Sequence, residues 1–294
     1  MRDFYTTSAA APLDQAEGLR QLFAGRSGPG CQVIALAANP HVAFSALVLD
    51  RLAAALSCAG RQVLVVDAAA SAPAPHELAR LDLTAGIEAM MPGVAYLPAR
   101  GLPLQYVDTR GSAARFVQAL CDAVPTADVV LLHADAAELA RLLVRRVARP
   151  LLLAADHPES LKHAYASCKL LMQRTGLATY DLVLAASARS PRLTSIVASL
   201  RGCADTFLGA LVHDWALVDP ATPCELPGAD AGQPGAGDAA ALARGDAHGV
   251  RLAALLAAQL AIDPSSHESA VPPVHSPPNP LPAGHRPTID CDLL

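Results

Sequence analysis

The chain has 294 residues, of which 52% are hydrophobic and only 17% charged, against roughly 25% charged for an average soluble domain. So much apolar surface excludes global disorder, because its burial offsets the entropy of the chain. With 22 Lys+Arg against 27 Asp+Glu, the net charge of −5 argues against nucleic acid backbone as the main partner.

No apolar run approaches the roughly 18 residues a membrane-spanning helix needs. The opening MRDFYTTSAAAPLDQ has no hydrophobic core of a secretory signal after its Arg. Seven cysteines are scattered without a CxxC pair, which reads as free, mostly buried thiols in a reducing compartment and gives no zinc site. The expectation is a cytoplasmic globular protein.

Four regions are expected. Residues 1–30 form an arm, periodic only from Leu13 to Ala24 and closed by the breakers Gly25, Gly28, Pro29 and Gly30. Residues 31–219 form an α/β domain, 220–262 a linker with a helical stretch at Val250–Ile262, and 263–294 a Pro-rich tail read as disordered. Within the domain the expected strands are Gln32–Ala38, Gln62–Asp67, Val94–Pro98, Asp128–Ala134, Pro150–Ala155, Asp181–Ala186 and Phe207–Val212. The expected helices are His41–Ala59, with Gly60 just past its end, then Ser112–Val124, Ala136–Arg149, Pro158–Thr175 and Leu193–Leu200. Strands apolar on both faces that alternate with amphipathic helices predict a doubly wound, mostly parallel sheet with helices on both faces.

Such sheets bind ligands at the carboxyl ends of their strands, so the first strand-to-helix turn is where chemistry is sought. The segment VIALAANPHVAFSALVLDRLAAALSCAGRQVLVVD resembles the opening of a MinD/ParA-type P-loop ATPase: a strand, a loop of the form GKGGVGK[TS], a long helix, a glycine and a strand ending in Asp. Strand, helix, Gly60 and Asp67 fit that frame without a gap, and the resemblance implies a MinD-like P-loop NTPase fold with ATP and Mg²⁺ as ligands. The loop does not fit. A phosphate cradle needs glycines, a Lys and a Ser/Thr hydroxyl. Here Asn39 and Pro40 stand at the first Gly and the signature Lys, and His41 to Phe44 replace the next glycines. Ser45 stands at the invariant Lys and Ala46 at the Mg²⁺-binding hydroxyl. Ala69 replaces the Asp that positions water, and His133 the Mg²⁺-linked Asp of the Walker B strand. The chain is therefore read as a pseudo-ATPase without a cofactor or metal, the alternative being a working ATPase of the MinD/FlhG type with an aberrant loop. Asp67 is expected to cap local backbone, and His133 to be a buried, hydrogen-bonded imidazole. His157 and His163 have no third ligand evident in the sequence, so a metal reading is poor.

APLDQAEGLRQLF resembles the DQAxxLR segment of the FlhG/FleN branch, the regulators of flagellar number. HPESLKHAYASCKLL and FLGALVHDWALVDPA resemble two further segments of that branch. Read from the residues alone, Asp14 caps a short helix starting at Gln15, with Ala16, Leu19, Leu22 and Phe23 on one face. Gly18 inside it suggests close approach of another backbone. The helix is too short to be stable alone, so it docks either on its own domain or on a partner that Gln15 and Arg20 reach. The resemblance implies that the partner is an FlhF-type GTPase whose hydrolysis the arm stimulates. It also implies possible contacts with a flagellar transcription activator or the switch/C-ring proteins, and recruitment to the pole or inner membrane face.

Two surfaces complete the reading. Arg141, Arg145 and Arg149 at i+4 spacing form a basic ridge on one helix. Arg100, Asp108, Arg110 and Arg115 form either an ion-pair network or, by a slight preference, a docking surface. Val250–Ile262 stands where the family has a membrane-binding helix, but its single cation, Arg251, and lack of aromatics make membrane contact doubtful and packing on the domain the commoner outcome.

Overall fold

The computed structural model describes residues 31–222 and 239–262, leaving aside the side chains of 239–247. The arm with Asp14, Gln15, Gly18, Leu19, Arg20 and Phe23, and the Pro-rich tail, lie outside the described residues.

Eight strands form one sheet in the order β3-β4-β2-β5-β1-β6-β7-β8: β1 Gln32–Ala37, β2 Val63–Asp67, β3 Glu88–Met91, β4 Val94–Pro98, β5 Val129–Ala134, β6 Leu151–Ala155, β7 Thr179–Ala185 and β8 Leu211–Val218. Neighbouring strands are parallel except β3, which pairs antiparallel with β4 at one edge. The helices are α1 Ser45–Cys58, α2 Ala114–Ala123, α3 Ala136–Leu142, α4 Pro158–Thr175, α5 Leu193–Leu208 and α6 Ala239–Leu260.

Strand alternation sorts the apolar residues into two cores, one on each face. Ile34, Leu36, Val63, Val65, Val129 and Leu131 pack with Leu49, Leu52 and Leu56 of α1 and Leu255 and Leu256 of α6. The intervening Ala35, Ala37, Leu64, Val66, Val130 and Leu132 pack with Phe116 of α2, Leu139 of α3, Leu171 of α4 and Leu200 of α5. Side chains of this size contribute about 1.5–3 kcal/mol each when fully buried. Two covered faces therefore explain why the central strands are continuous apolar runs. The fold is a doubly wound, mostly parallel α/β sheet. From β1 the chain winds outward through β2 to β4, returns at β5 and then crosses β1 to build β6, β7 and β8, so the direction of winding switches beside β1.

Several expected elements differ. The first helix begins at Ser45 rather than His41, because Asn39 and Pro40 start a turn closed by Val42 N–H on Asn39 O at 3.0 Å. The last strand is Leu211–Val218, not Phe207–Val212: α5 continues to Leu208, and Gly209 at φ 65° ends it in the left-handed conformation. His213 and Asp214 interrupt the apolar run of that edge strand and hid it. The short β3 carries no clear strand pattern and was not anticipated. The helix expected to reach Arg149 ends at Leu142, and Arg145 takes a left-handed φ of 59°. The basic ridge therefore does not exist: Arg141 is on the helix, Arg145 is past its end, and Arg149 turns into the sheet to meet Asp181. Of the five described cysteines, only Cys168 is buried, against the expectation of mostly buried thiols.

Helix α6 lies across α1, β1 and β8 on one face, burying Leu252, Leu255 and Leu256. Its Arg251 stacks over Trp215, 4.5 Å from the ring centroid, and donates to Trp215 O at 2.8 Å. Arg251, the cation of the Val250–Ile262 stretch, is thus turned onto the domain. No helix among the described residues is long and apolar enough to cross a membrane.

Candidate functional site

The switch beside β1 places three strand ends together: Ala38–Phe44 after β1, Asp67 at the end of β2, and His133 near the end of β5. This is the crevice where an open α/β sheet takes its ligands.

The loop after β1 is filled from within. Asn39 is 4% exposed, and its Nδ2 donates to Leu153 O at 2.8 Å, to Ser160 O at 2.9 Å and lies 3.0 Å from Ser160 Oγ. Ser160 Oγ also accepts from Ala155 N–H at 2.8 Å. One amide side chain thereby ties the loop to β6 and to the first turn of α4. Its Oδ1 accepts the N–H of His41 at 3.1 Å, and its carbonyl accepts that of Val42. Pro40 contributes no N–H. Val42 then dips into the core beside α1. Two backbone donors of the loop, those of His41 and Val42, are therefore taken by Asn39, and Pro40 offers none. Phe44 stands as an uncapped entry to α1, 58% exposed, and Ser45 and Ala46 form the first turn behind it.

A row of polar side chains crosses β4, β2 and β5. Asp67, 8% exposed, sits opposite His133, 1% exposed, in the β2–β5 register. His133 Nδ1 lies 2.8 Å from Asp67 Oδ1. An ionised carboxylate only accepts, so Nδ1 donates to it, and Nε2 is buried without a partner. Asp67 also accepts Ala69 N–H at 3.3 Å. Burial first, and then the charge of Asp67 and a hydrogen bond to it, hold the Tyr96 hydroxyl up to about 12. Tyr96 was not foreseen, although its place two residues before the end of β4 puts it on the same face as Asp67.

Three imidazoles border the loop. The rings of His157 and His163 lie 6.2 and 5.8 Å from that of His41. His157 Nε2 donates to His41 O at 2.8 Å, while its Nδ1 accepts Ser160 N–H at 3.3 Å and so caps α4. Burial, and then the neighbouring His41, push His163 below the usual histidine range; its contact with the Ala38 backbone and the charge of Asp135 act in the opposite sense. His41 is the third imidazole that sequence spacing did not reveal. Even so, no group of three His, Cys, Asp or Glu among the described residues is arranged to hold a metal ion.

The segment after β4 folds into a short 3-10 turn, Leu102–Tyr106. Asp108 accepts the N–H groups of Arg110 and Ser112 at 2.8 and 2.9 Å, which hold its carboxyl below the usual range. Among the described residues Arg100, Arg110 and Arg115 make no ion pair, so the internal network that was one reading of this segment does not form.

No protein-family profile matches the chain, and no curated protein matches it in sequence. Among solved structures the chain is similar to a ParA family ATPase from Chlorobium tepidum TLS, at 15% identity over 65% of this chain and 86% of that one, with a TM-score of 0.46. It is also similar to the MinD cell division protein of Aquifex aeolicus, at 12% identity over 65% and 84%, TM-score 0.45. A plasmid partition protein from Borrelia burgdorferi is similar at 9% identity over 64% and 90%, TM-score 0.44. These are similarities of scaffold.

Tested against the nucleotide that the sequence resemblance implies, the residues at this crevice do not fit. No lysine stands in the loop, the His41 and Val42 N–H groups are taken by Asn39, and an imidazole stands where the resemblance places the acid that would serve Mg²⁺.

Proposed function

We propose that the chain is a non-catalytic, MinD-like regulator of flagellum biogenesis that acts by protein binding. In this reading the arm, through Gln15, Leu19 and Arg20, stimulates an FlhF-type GTPase, and the α/β domain is the platform that presents it. The observation that supports the non-catalytic half is Asn39, whose side chain and carbonyl occupy the N–H groups of His41 and Val42 and cross-link the loop after β1 to β6 and α4. A loop that must wrap a phosphate needs those donors. The flagellar half rests on the resemblance of DQAEGLR.

Two measurements test the halves separately. With ATP and Mg²⁺ at millimolar concentration the melting temperature is expected to stay constant; a concentration-dependent rise would establish a working nucleotide site and overturn the pseudo-ATPase reading. GTP turnover by an FlhF-type GTPase is expected to rise when the protein is added and not with a Gln15→Ala, Leu19→Ala double variant. Equal turnover with and without the protein would reject the activator role and direct the search to a flagellar transcription activator.

A further inference from the structure

We propose that His157 is an acid-sensitive latch: its neutral ring fastens the loop after β1 to the start of α4, and protonation releases both. Each end of the latch has its proton assigned by the partner. A backbone N–H only donates, so Nδ1 accepts from Ser160 N–H at 3.3 Å. A carbonyl only accepts, so Nε2–H donates to His41 O at 2.8 Å. The two contacts therefore admit one species, the neutral ring with its proton on Nε2. His157 holds the cap position of α4 in an extended conformation, φ −158° and ψ 154°, just before Pro158. It is half-buried, so solvent protons reach it.

Acid acts on this arrangement in two ways. The second proton enters at Nδ1, takes the lone pair that receives Ser160 N–H, and leaves two donors pointing at one another. It also places a positive charge at the amino end of an 18-residue helix, which already carries the positive pole of the peptide dipoles. The ring then turns away from α4, and because Nε2 belongs to the same rigid ring its bond to His41 O goes with it. Ser160 couples the two partners further, since its carbonyl accepts Asn39 Nδ2 at 2.9 Å.

No neighbouring carboxylate is placed to compensate the charge. Asp156, the preceding residue, is held by Ser190 Oγ and Arg192. Glu159, in the first turn of α4, pairs with Lys162 at 3.1 Å. Asp135, before α3, accepts Ala70 N–H and acts on His163. From the loop side the group facing His157 is His41, with ring centroids 6.2 Å apart, and His163 lies 5.8 Å from His41. These are imidazoles that acid also charges. Among the described residues no ion pair includes His157. The latch is thus closed while the ring is neutral and opens as pH falls through the range where histidine changes charge.

The test is amide hydrogen exchange on the full-length protein at about pH 8 and about pH 5, corrected for the intrinsic pH dependence, with NMR of the imidazole nitrogens. Expected are the Nε2–H tautomer of His157 at the higher pH and a several-fold loss of protection at Ser160 and Val42 at the lower. His157→Asn, whose amide oxygen caps without titrating, should hold its protection across that range and melt close to the wild type at the higher pH. His163→Gln should keep the acid-induced loss. An Nδ1–H tautomer, unchanged protection at either amide in acid, the same loss in His157→Asn, or its disappearance in His163→Gln would overturn the proposal.

Discussion

Two buried carboxylates at opposite ends of the same sheet are handled in opposite ways. Asp181, at the amino-terminal end of β7, is 0% exposed and has both oxygens engaged. Oδ1 accepts Asp214 N–H at 2.9 Å; Oδ2 accepts from Gln259 of α6 at 2.7 Å and faces Arg149 Nε at 2.8 Å. Gln259 also donates to Arg149 O. One charge thus fastens β7, β8, the chain entering β6, and α6. Asp67, at the carboxyl end of β2, has an imidazole as its main partner, and the far nitrogen of that ring is buried and unpaired. Asp181 has both oxygens engaged, although Nη2 of its partner Arg149 is also buried without a hydrogen bond. Buried polar groups without partners are expensive.

The largest effect expected from this contrast is at Asp181. Asp181→Ala strands Arg149, Gln259 and the Asp214 N–H together, and urea unfolding should show a loss of about 3–5 kcal/mol; a loss below 1 kcal/mol would remove its role as a hub. Next, Asn39→Ala should cost about 1–3 kcal/mol by the same measurement, because buried acceptors on Leu153 and Ser160 lose their donor. By contrast, replacing both members of the other pair, Asp67→Val with His133→Leu, should be neutral or stabilising by up to about 4 kcal/mol, since an apolar pair removes the orphaned nitrogen. Strong destabilisation by the double change would show that the two carboxylates do equivalent work after all.

A smaller effect concerns pH. His163 titrates below its ordinary 6.5, so the fold prefers its neutral form. Its contribution is present above the unfolded-state value and lost as pH falls through the lower folded-state value, where the unfolded chain binds the proton more readily. The melting temperature should therefore fall below about pH 6.5, and His163→Gln should flatten part of that decline; an unchanged profile would exclude His163 as a source. The smallest effect is a null: His133→Asp, which restores only an acid, should leave the melting temperature indifferent to ATP and Mg²⁺.

Much of the scaffold was legible because covered parallel strands must be apolar on both sides. QVIALA, VLVVD and DLVLAA announce themselves by that chemistry, and Gly60, at φ +77°, marks a helix end that side chains with a Cβ disfavour. The elements that went astray lack such signals. Arg141, Arg145 and Arg149 keep helical spacing, but the chain leaves the helix because Arg149 gains more from Asp181 than from a solvated face. Phe207 and Leu208 look like strand residues, yet they finish a helix whose stop, Gly209, was read as interior.

The sequence by itself determined the fold class, because burial on two faces demands apolar side chains at particular spacings. Only the tertiary structure decided how the loop after β1 and the strand ends beside it are held. That Asn39 reaches Leu153 and Ser160, that His41 meets two imidazoles from α4 and the residue capping it, and that Gln259 finds Asp181 are contacts between residues distant in sequence and brought together across strands. Local periodicity carries no information about such distant partners, because they are selected by strand order and register.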